Sequence, residues 1–282
     1  MGITITKSSG RQEAFEQRKL YASLIRSGAP ADVALDIARK VEGKMPDQSS
    51  TREIYRFARR LLRQHNLASV MRYSLKKAIF SLGPSGYPFE KYIGRVLAAH
   101  GYATETGKVV KGFCVSHEVD VVARNGTEHA LIECKYHSEA GKATDVKVAL
   151  YVHSRFLDIR KAFEADPREN GSVHQCWLVT NTRCTTDAIR YAECTGIRIV
   201  SWRYPQTGSL EKLIEEKRLY PVTILPSAKK STVDSLFRHG FVLAQDIADM
   251  DQEGFRRTSG LERQISHALK QEADELCPCQ PS

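Results

Sequence analysis

Asp120 stands in Val119-Asp120-Val121-Val122, and Glu133 and Lys135 flank a cysteine in Ile132-Glu133-Cys134-Lys135. Side chains alternate along a strand, so Glu133 and Lys135 share one face and Cys134 takes the other. Asp120 lies in the preceding β-rich run and meets them if the pairing register suits. Two convergent carboxylates make a hard oxygen-donor site suited to Mg²⁺ or Mn²⁺. Such a cation neutralises charge developing on a phosphoryl group and lowers the pKa of attacking water, as phosphodiester hydrolysis requires. Lys135 is the group to orient or activate that water and to stabilise the phosphoryl oxygens. Glu90, in Pro88-Phe89-Glu90-Lys91, opens a helix ahead of the strands and supplies a further carboxylate. Any one of these residues could simply mark the wet face of a half-buried strand. The ordered set Glu90, Asp120, Glu133 and Lys135 favours chemistry.

The elements that must hold these side chains are legible from period and punctuation. A helix is expected over about 87–100, with Phe89, Ile93, Val96 and Leu97 on its apolar face and Gly101 ending it. From residue 102 the period is that of a sheet. Val109-Val110 and Phe113-Cys114-Val115 are strand candidates, and Val119 to Val122 forms a second run. Asn125-Gly126 predicts a tight turn, with a facing strand over about 129–136. A helix over much of 144–163, a buried strand at 176–180, a helix at 185–194 and a strand at 197–201 follow. Another helix is expected at 208–218. The succession is α/β. Lys111, His117, Asp145, Lys147, Ser154 and Arg155 are weaker candidates for the polar side of the cleft.

Charge is unevenly divided. Residues 1–83 hold 16 Lys and Arg against 7 Asp and Glu, whereas 84–282 hold 26 of each, so the whole excess of +9 lies in the first third. A basic domain joined to a neutral one points to a polyanion, either nucleic acid or nucleotide phosphate. That first part is expected to be a short strand at 3–6 and helices at about 14–26, 30–43, 50–65 and 67–81. Ser50 and Glu53 offer a capping box at the third helix, and Arg52, Arg56, Arg59, Arg60 and Arg63 form a basic ridge along it. Residues 226–282 carry 7 basic and 9 acidic groups and at least two short helical patterns, expected to pack on the central domain.

At 41% hydrophobic and 27% charged the chain can build ordinary cores. It has no apolar run of the roughly 20 residues that cross a bilayer and no signal-peptide pattern. Gly2 and Thr6 fit a loose myristoylation pattern, but Ile3 to Thr6 is better explained as the edge of a folded domain. Seven cysteines without paired spacing make a disulfide framework unexpected and a cytoplasmic location the default. Cys277-Pro278-Cys279 lacks the second half of a zinc knuckle.

Asp120 followed by Glu133-Cys134-Lys135 resembles the metal-site pattern of the PD-(D/E)xK superfamily, the restriction-endonuclease fold. Gly112-Phe113-Cys114-Val115-Ser116-His117-Glu118-Val119-Asp120 resembles the Mrr-like branch, and the Glu90 helix resembles that of archaeal Holliday-junction resolvases. The resemblance covers about residues 84–204. It implies that Asp120 and Glu133 bind metal, that Lys135 assists hydrolysis and that Glu90 is an accessory ligand.

Residues 3–80 resemble an ATP-cone, the small nucleotide-binding domain of ribonucleotide reductases and their repressors, through Ile5-Thr6-Lys7, Gly10, Phe15, Lys19, Ala68 and Arg72-Tyr73. The resemblance implies ATP or dATP phosphates near Lys7, Ser8, Gly10, Arg11 and Lys19. No Walker A loop is present, so the nucleotide is expected to regulate rather than to drive a motor.

The expected fold is therefore α/β in three parts. Residues 1–83 form a small, mainly helical ATP-cone domain, 84–225 a mixed-sheet restriction-endonuclease-like domain, and 226–282 a short helical segment with a tail. The expected function is metal-dependent DNA endonuclease, regulated by ATP or dATP, with DNA and adenine nucleotide as partners and a homodimer or higher homo-oligomer left open. A junction or repair nuclease and a catalytically inactive, nucleotide-responsive DNA-binding regulator are the alternatives.

Overall fold

The computed structural model describes residues 3–7, 10–126, 128–165 and 175–278. The chain separates into two compact units, one built from residues 1–78 and 222–282 and the other from 79–221. Among the described residues no helix is long and apolar enough to cross a membrane, and cysteines 114, 134, 176, 184, 194 and 277 are free.

The first unit begins with a three-stranded sheet. β1 (Thr4–Thr6) pairs antiparallel with β2 (Gln12–Ala14) and parallel with β3 (Ser49–Ser50). The helices are α1 (Gln17–Arg26), α2 (Ala31–Lys44), α3 (Thr51–Leu62), α4 (Leu67–Tyr73) and α5 (Leu75–Ile79). Their core joins Ile5, Leu20, Leu24, Ile37, Val41, Ile54, Ala58 and Leu62. The capping box at α3 forms: Glu53 N–H donates to Ser50 Oγ at 3.2 Å, and Ser50 N–H donates to Glu53 Oε2 at 2.8 Å.

The second unit is a five-stranded mixed sheet. It opens with α6 (Tyr87–Ala99), β4 (Ala103–Lys111), β5 (Ser116–Asn125) and β6 (Glu128–Lys135). Then come β7 (Ala143–Thr144), α7 (Val146–Ala165), β8 (Gln175–Thr180), β9 (Arg183–Cys184), α8 (Thr186–Thr195), β10 (Arg198–Val200) and α9 (Leu210–Lys217). The strand order is β10-β8-β6-β5-β4, with β7 and β9 as a separate parallel pair. β4, β5 and β6 form an antiparallel meander, while β8 joins parallel to β6 and β10 joins parallel to β8. Parallel neighbours need crossovers, and α7 and α8 provide them. One face of the sheet packs Val122, Leu131, Cys176, Leu178 and Ile199 against Ala149, Val152, Phe156 and Ile159 of α7 and Ala188 and Ala192 of α8. The alternate residues Val121, Ala123, Ile132, Trp177 and Val179 are buried too, because α6 packs over β4, β5 and β6. A sheet covered on both faces explains why its strands read as nearly continuous apolar runs.

Two expectations are corrected. Phe113-Cys114-Val115 is not a strand but the turn between β4 and β5. The Asp158 carboxylate on α7 accepts from Cys114 N–H at 2.8 Å, and the Asp158 carbonyl accepts from Phe113 N–H at 3.0 Å. Those backbone donors go to an acceptor 44 residues away rather than to a ladder. Gly112 is required there, since a Cβ would lie 2.1 Å from Asp158 Oδ2. The other correction concerns the C-terminal helices α10 (Lys230–Arg238), α11 (Ala244–Ala248), α12 (Gln252–Ser259) and α13 (Arg263–Leu276). They belong to the first compact unit, which takes in residues 222–282, and not to the sheet unit of residues 79–221 on which they were expected to pack. Ser266, Leu269, Ala273 and Leu276 are the buried residues of α13, which packs on α4, and Thr223 Oγ1 donates to the Ala78 carbonyl at 2.8 Å.

Candidate active site

Asp120 sits in a gap between two strand ladders. β4 and β5 pair at Thr106–Val121 and again at Lys108–Val119, leaving Gly107 opposite Asp120 without a ladder pair. Gly107 has φ +63°, a left-handed conformation that glycine adopts without strain. On the other side, the β5–β6 register stops at Val121–Ile132, one step short of Asp120 and Glu133. The freed amide of Cys134 donates instead to Asp120 Oδ2 at 2.7 Å. A glycine inside a strand signals such a local break; this was a cue in the sequence that the pattern of apolar residues did not use.

Glu133 lies on the α7 side of the sheet, where Arg155 Nη1 donates to its Oε2 at 2.6 Å, both side chains mostly buried. Arg155 also lies 5.3 Å from the centroid of the Tyr151 ring. A cleft of about 290 Å³ opens beside them, lined by Ser116, His117, Glu118, Asp120, Tyr151 and Arg155. Lys135 is exposed at the end of β6, paired in register with Thr180 of β8. Just beyond it, His137 N–H donates to Asn181 Oδ1 at 2.8 Å and Asn181 Nδ2 donates back to the His137 carbonyl at 2.8 Å, which holds the chain leaving β6.

The electrostatics are those of crowded acids. Burial raises the pKa of Asp120, only partly offset by the Cys134 N–H and the charge of Arg155. Burial and then the charge of Asp120 raise Glu133, outweighing the guanidinium at its oxygen. Glu90, in the first turn of α6, is pushed up to about 7 by burial and by the charges of Asp120, Glu118 and Glu133. Burial and then the charges of Asp120, Glu90 and Glu133 drive the Cys134 thiol upward. Gly86 leaves room for Glu90, since a Cβ there would lie 2.9 Å from Glu90 Oε1. Glu118, which the sequence pattern did not single out, joins this cluster through its position two residues before Asp120.

A testable consequence concerns Glu90 alone. Its folded pKa of about 7 lies above its ordinary 4.5, so between those values the folded chain holds a proton that the unfolded chain has released. Stability from this group is fully present below the ordinary pKa and is lost as pH rises through the folded value. Glu90→Gln is therefore expected to flatten the fall in stability between about pH 5 and pH 8, by about 1 kcal/mol after discounting for solvent screening. Urea melts without divalent cation measure it, and identical pH profiles for both proteins would refute the assignment.

Among the described residues no group of three or more His, Cys, Asp or Glu side chains is gathered closely enough to hold a metal ion. Glu90 is thus near in charge but is not drawn with Asp120 and Glu133 into one ligand set. The donor chemistry still suits a hard dication, because Mg²⁺ commonly takes one or two carboxylates and fills its remaining positions with water and phosphate oxygens. Asp120 and Glu133 offer two such carboxylates by residue type, both desolvated, with the charge of Asp120 raising the Glu133 pKa.

The weaker candidates divide. Arg155 is the partner of Glu133. His117 is held by Asp158, with Nε2 2.8 Å from its Oδ2, a contact that holds the Asp158 carboxylate well below the usual range. Asp145 Oδ1 accepts from Val148 N–H at 3.3 Å and starts α7. Lys111, Lys147 and Ser154 are exposed. In the first unit Lys7 Nζ lies 2.7 Å from Glu13 and Lys19 Nζ 2.5 Å from Glu16. Gly10 has φ +80° in the β1–β2 turn, where its N–H donates to the Lys7 carbonyl at 2.9 Å. Arg11 is exposed, and Ser8 lies outside the described residues.

Comparison with known proteins places two segments. Residues 83–203 match the family model described as restriction endonuclease, and residues 220–277 match the one described as AF1548-like, C-terminal. No ATP-cone model matches. An uncharacterized protein of Archaeoglobus fulgidus is 38% identical over 164 residues, covering 58% of this chain and 88% of its own length. The crystal structure of AF1548, a protein of unknown function, is 35% identical with a TM-score of 0.59, covering 68% of this chain and 98% of that one.

Proposed function

Since this chain belongs to the AF1548-like family and carries a restriction-endonuclease domain, we propose that it is an endonuclease hydrolysing DNA phosphodiester bonds with a divalent cation. The observation that carries this reading is the Asp120 carboxylate, lifted out of both ladders and held by the Cys134 amide beside Glu133. Asp120 and Glu133 are the residues that would hold Mg²⁺ or Mn²⁺. Bound there, the cation supplies charge neutralisation at the scissile phosphate and acidifies water.

The protein's own groups do the positioning. Asp120 is fixed by a backbone donor and lines the cleft. Arg155 balances Glu133 while no cation is bound and lines the same cleft. Lys135, exposed at the strand end, is free to approach a phosphate oxygen or a water at the cleavage point. Glu90 is partly protonated near neutral pH and serves as an accessory carboxylate that takes or gives a proton at the edge of the site.

The test is cleavage by the purified full chain of plasmid, base-modified plasmid and branched DNA, with Mg²⁺ or Mn²⁺ or with chelator. Divalent-dependent nicking or linearisation is expected. Cutting confined to branched DNA would favour a junction nuclease, and cutting confined to modified plasmid would favour restriction. No cleavage of any substrate would reject the hydrolase reading.

The regulatory part of the proposal is that ATP or dATP binds the first unit near Lys7, Ser8, Gly10, Arg11 and Lys19. Phosphate would compete with Glu13 and Glu16 for the two lysines, and a glycine turn offers backbone N–H groups to an anion. Calorimetric titration is expected to show adenine-nucleotide binding to the folded chain. A flat titration with both nucleotides removes this part and leaves the nuclease reading untouched.

A further inference from the structure

α3 carries Arg52, Arg56, Arg59 and Arg60, with Arg63 at its C-cap. At 100° per residue these five fall within an arc of about 100° on one side of the helix. Ile54, Ala58 and Leu62 are buried on the side facing the core. Arg59 is tied down, its Nε donating to Ser74 Oγ at 3.1 Å. Arg52, Arg56, Arg60 and Arg63 are exposed. Glu53 is the sole acid between residues 48 and 83, and its carboxylate is engaged by Ser50. Among the described residues no carboxylate forms an ion pair with these four arginines.

A solubilising surface has no need of this arrangement. Like charges four residues apart weaken a helix, and Arg52–Arg56, Arg56–Arg60 and Arg59–Arg63 are all such pairs. All five cations are arginine, whose planar fork binds phosphate in a bidentate way that lysine cannot match. The row from Arg52 to Arg63 runs about 16 Å. A DNA duplex carries one charge per roughly 1.7 Å of axis, so several phosphates fall within its reach. We propose that the arginine face of α3 binds the phosphate backbone of double-stranded DNA without reading its sequence. The inference rests on DNA as the substrate and adds a second, sequence-independent binding surface outside the restriction-endonuclease domain.

The test uses the full chain, a fluorescently labelled duplex of arbitrary sequence and a chelating buffer, so that binding is read without cleavage. The variant Arg52→Gln/Arg56→Gln/Arg60→Gln/Arg63→Gln should bind at least about tenfold more weakly at moderate salt. The slope of log affinity against log salt should shrink by up to about 3.6, near 0.9 for each phosphate that one of the four arginines no longer neutralises. The four-lysine counterpart should keep much of the salt slope, and both variants should stay folded, because the four side chains are exposed and the glutamine variant relieves the like-charge repulsion along α3. Unchanged affinity and slope in the glutamine variant would overturn the inference, as would a wild type that does not bind the duplex. Stronger competition by duplex RNA of equal length would overturn the assignment to DNA. A wild type that binds through this face but cuts nothing with Mg²⁺ defeats the hydrolase reading and leaves this inference standing.

Discussion

Asp120→Asn and Lys135→Ala should each lower single-turnover cleavage of supercoiled plasmid by at least about a thousand-fold. Both changes are chosen to spare the fold. The asparagine oxygen can still accept from the Cys134 N–H, so the link that replaces the ladder at Asp120 survives while the charge is lost. Lys135 is exposed, and truncating it removes a cation without opening a cavity. The two variants should then differ in a second measurement. Asp120→Asn should weaken the Mn²⁺ dependence of any residual cleavage, since a hard dication is held by carboxylate charge. Lys135→Ala should leave the metal dependence nearly unchanged and depress the maximal rate. Cleavage at wild-type rates by either folded variant would remove that residue from the proposed centre.

The second large effect is on stability and comes from Arg155. Removing one member of a fully buried ion pair costs about 3–5 kcal/mol, because the remaining charge is left without a partner. Glu133 and Arg155 keep side-chain exposures of 21% and 14%, so Arg155→Ala is expected to cost about 2 kcal/mol without divalent cation. Glu133 already has its pKa raised by burial and by Asp120, and loss of the guanidinium raises it further. The folded state would then bind a proton that the unfolded state releases, and the deficit should grow as pH rises through the carboxylate range. Adding Glu133→Gln should recover most of the loss, since the second change removes the stranded charge. Urea melts of the single and double variants read this directly. An Arg155→Ala protein as stable as the wild type at neutral pH would show that the pair adds nothing to the fold.

The candidate centre was legible as a pattern where residue chemistry and strand period coincide. Asp120, Glu133 and Lys135 are flanked by Val119, Val121, Ile132 and Cys134, all buried, and that contrast of charged residues within apolar strands survives in any single sequence. The Asn125-Gly126 turn set the two strands against each other, and Gly126 does take a positive φ of +54°. The helix boundaries followed from local signals of the same kind: Ser50 and Glu53 at α3 and Gly101 after α6.

Other features depend on partners remote in the chain. Phe113-Cys114-Val115 has strand composition but becomes a turn, because Asp158 takes its amides from 44 residues away. Residues 222–282 join the first unit rather than the adjacent sheet domain, since an amphipathic helix such as α13 shows that it has an apolar face without showing what covers it. Arg155 was a polar residue on a long helix until the sheet brought Glu133 within 2.6 Å. Glu118 carried no signal of its own and matters only through the charges around it.

Asp120, Glu133 and Lys135 were thus determined by the sequence as residue types at a strand-compatible spacing. Tertiary structure decided what surrounds them. It broke both ladders at Asp120, set Arg155 against Glu133, and placed Glu90 where neighbouring acids raise its pKa to about 7. The physical reason is that alternation and turn propensity act within a few residues, whereas register, burial and the field at a carboxylate are sums over elements that meet only when the chain folds.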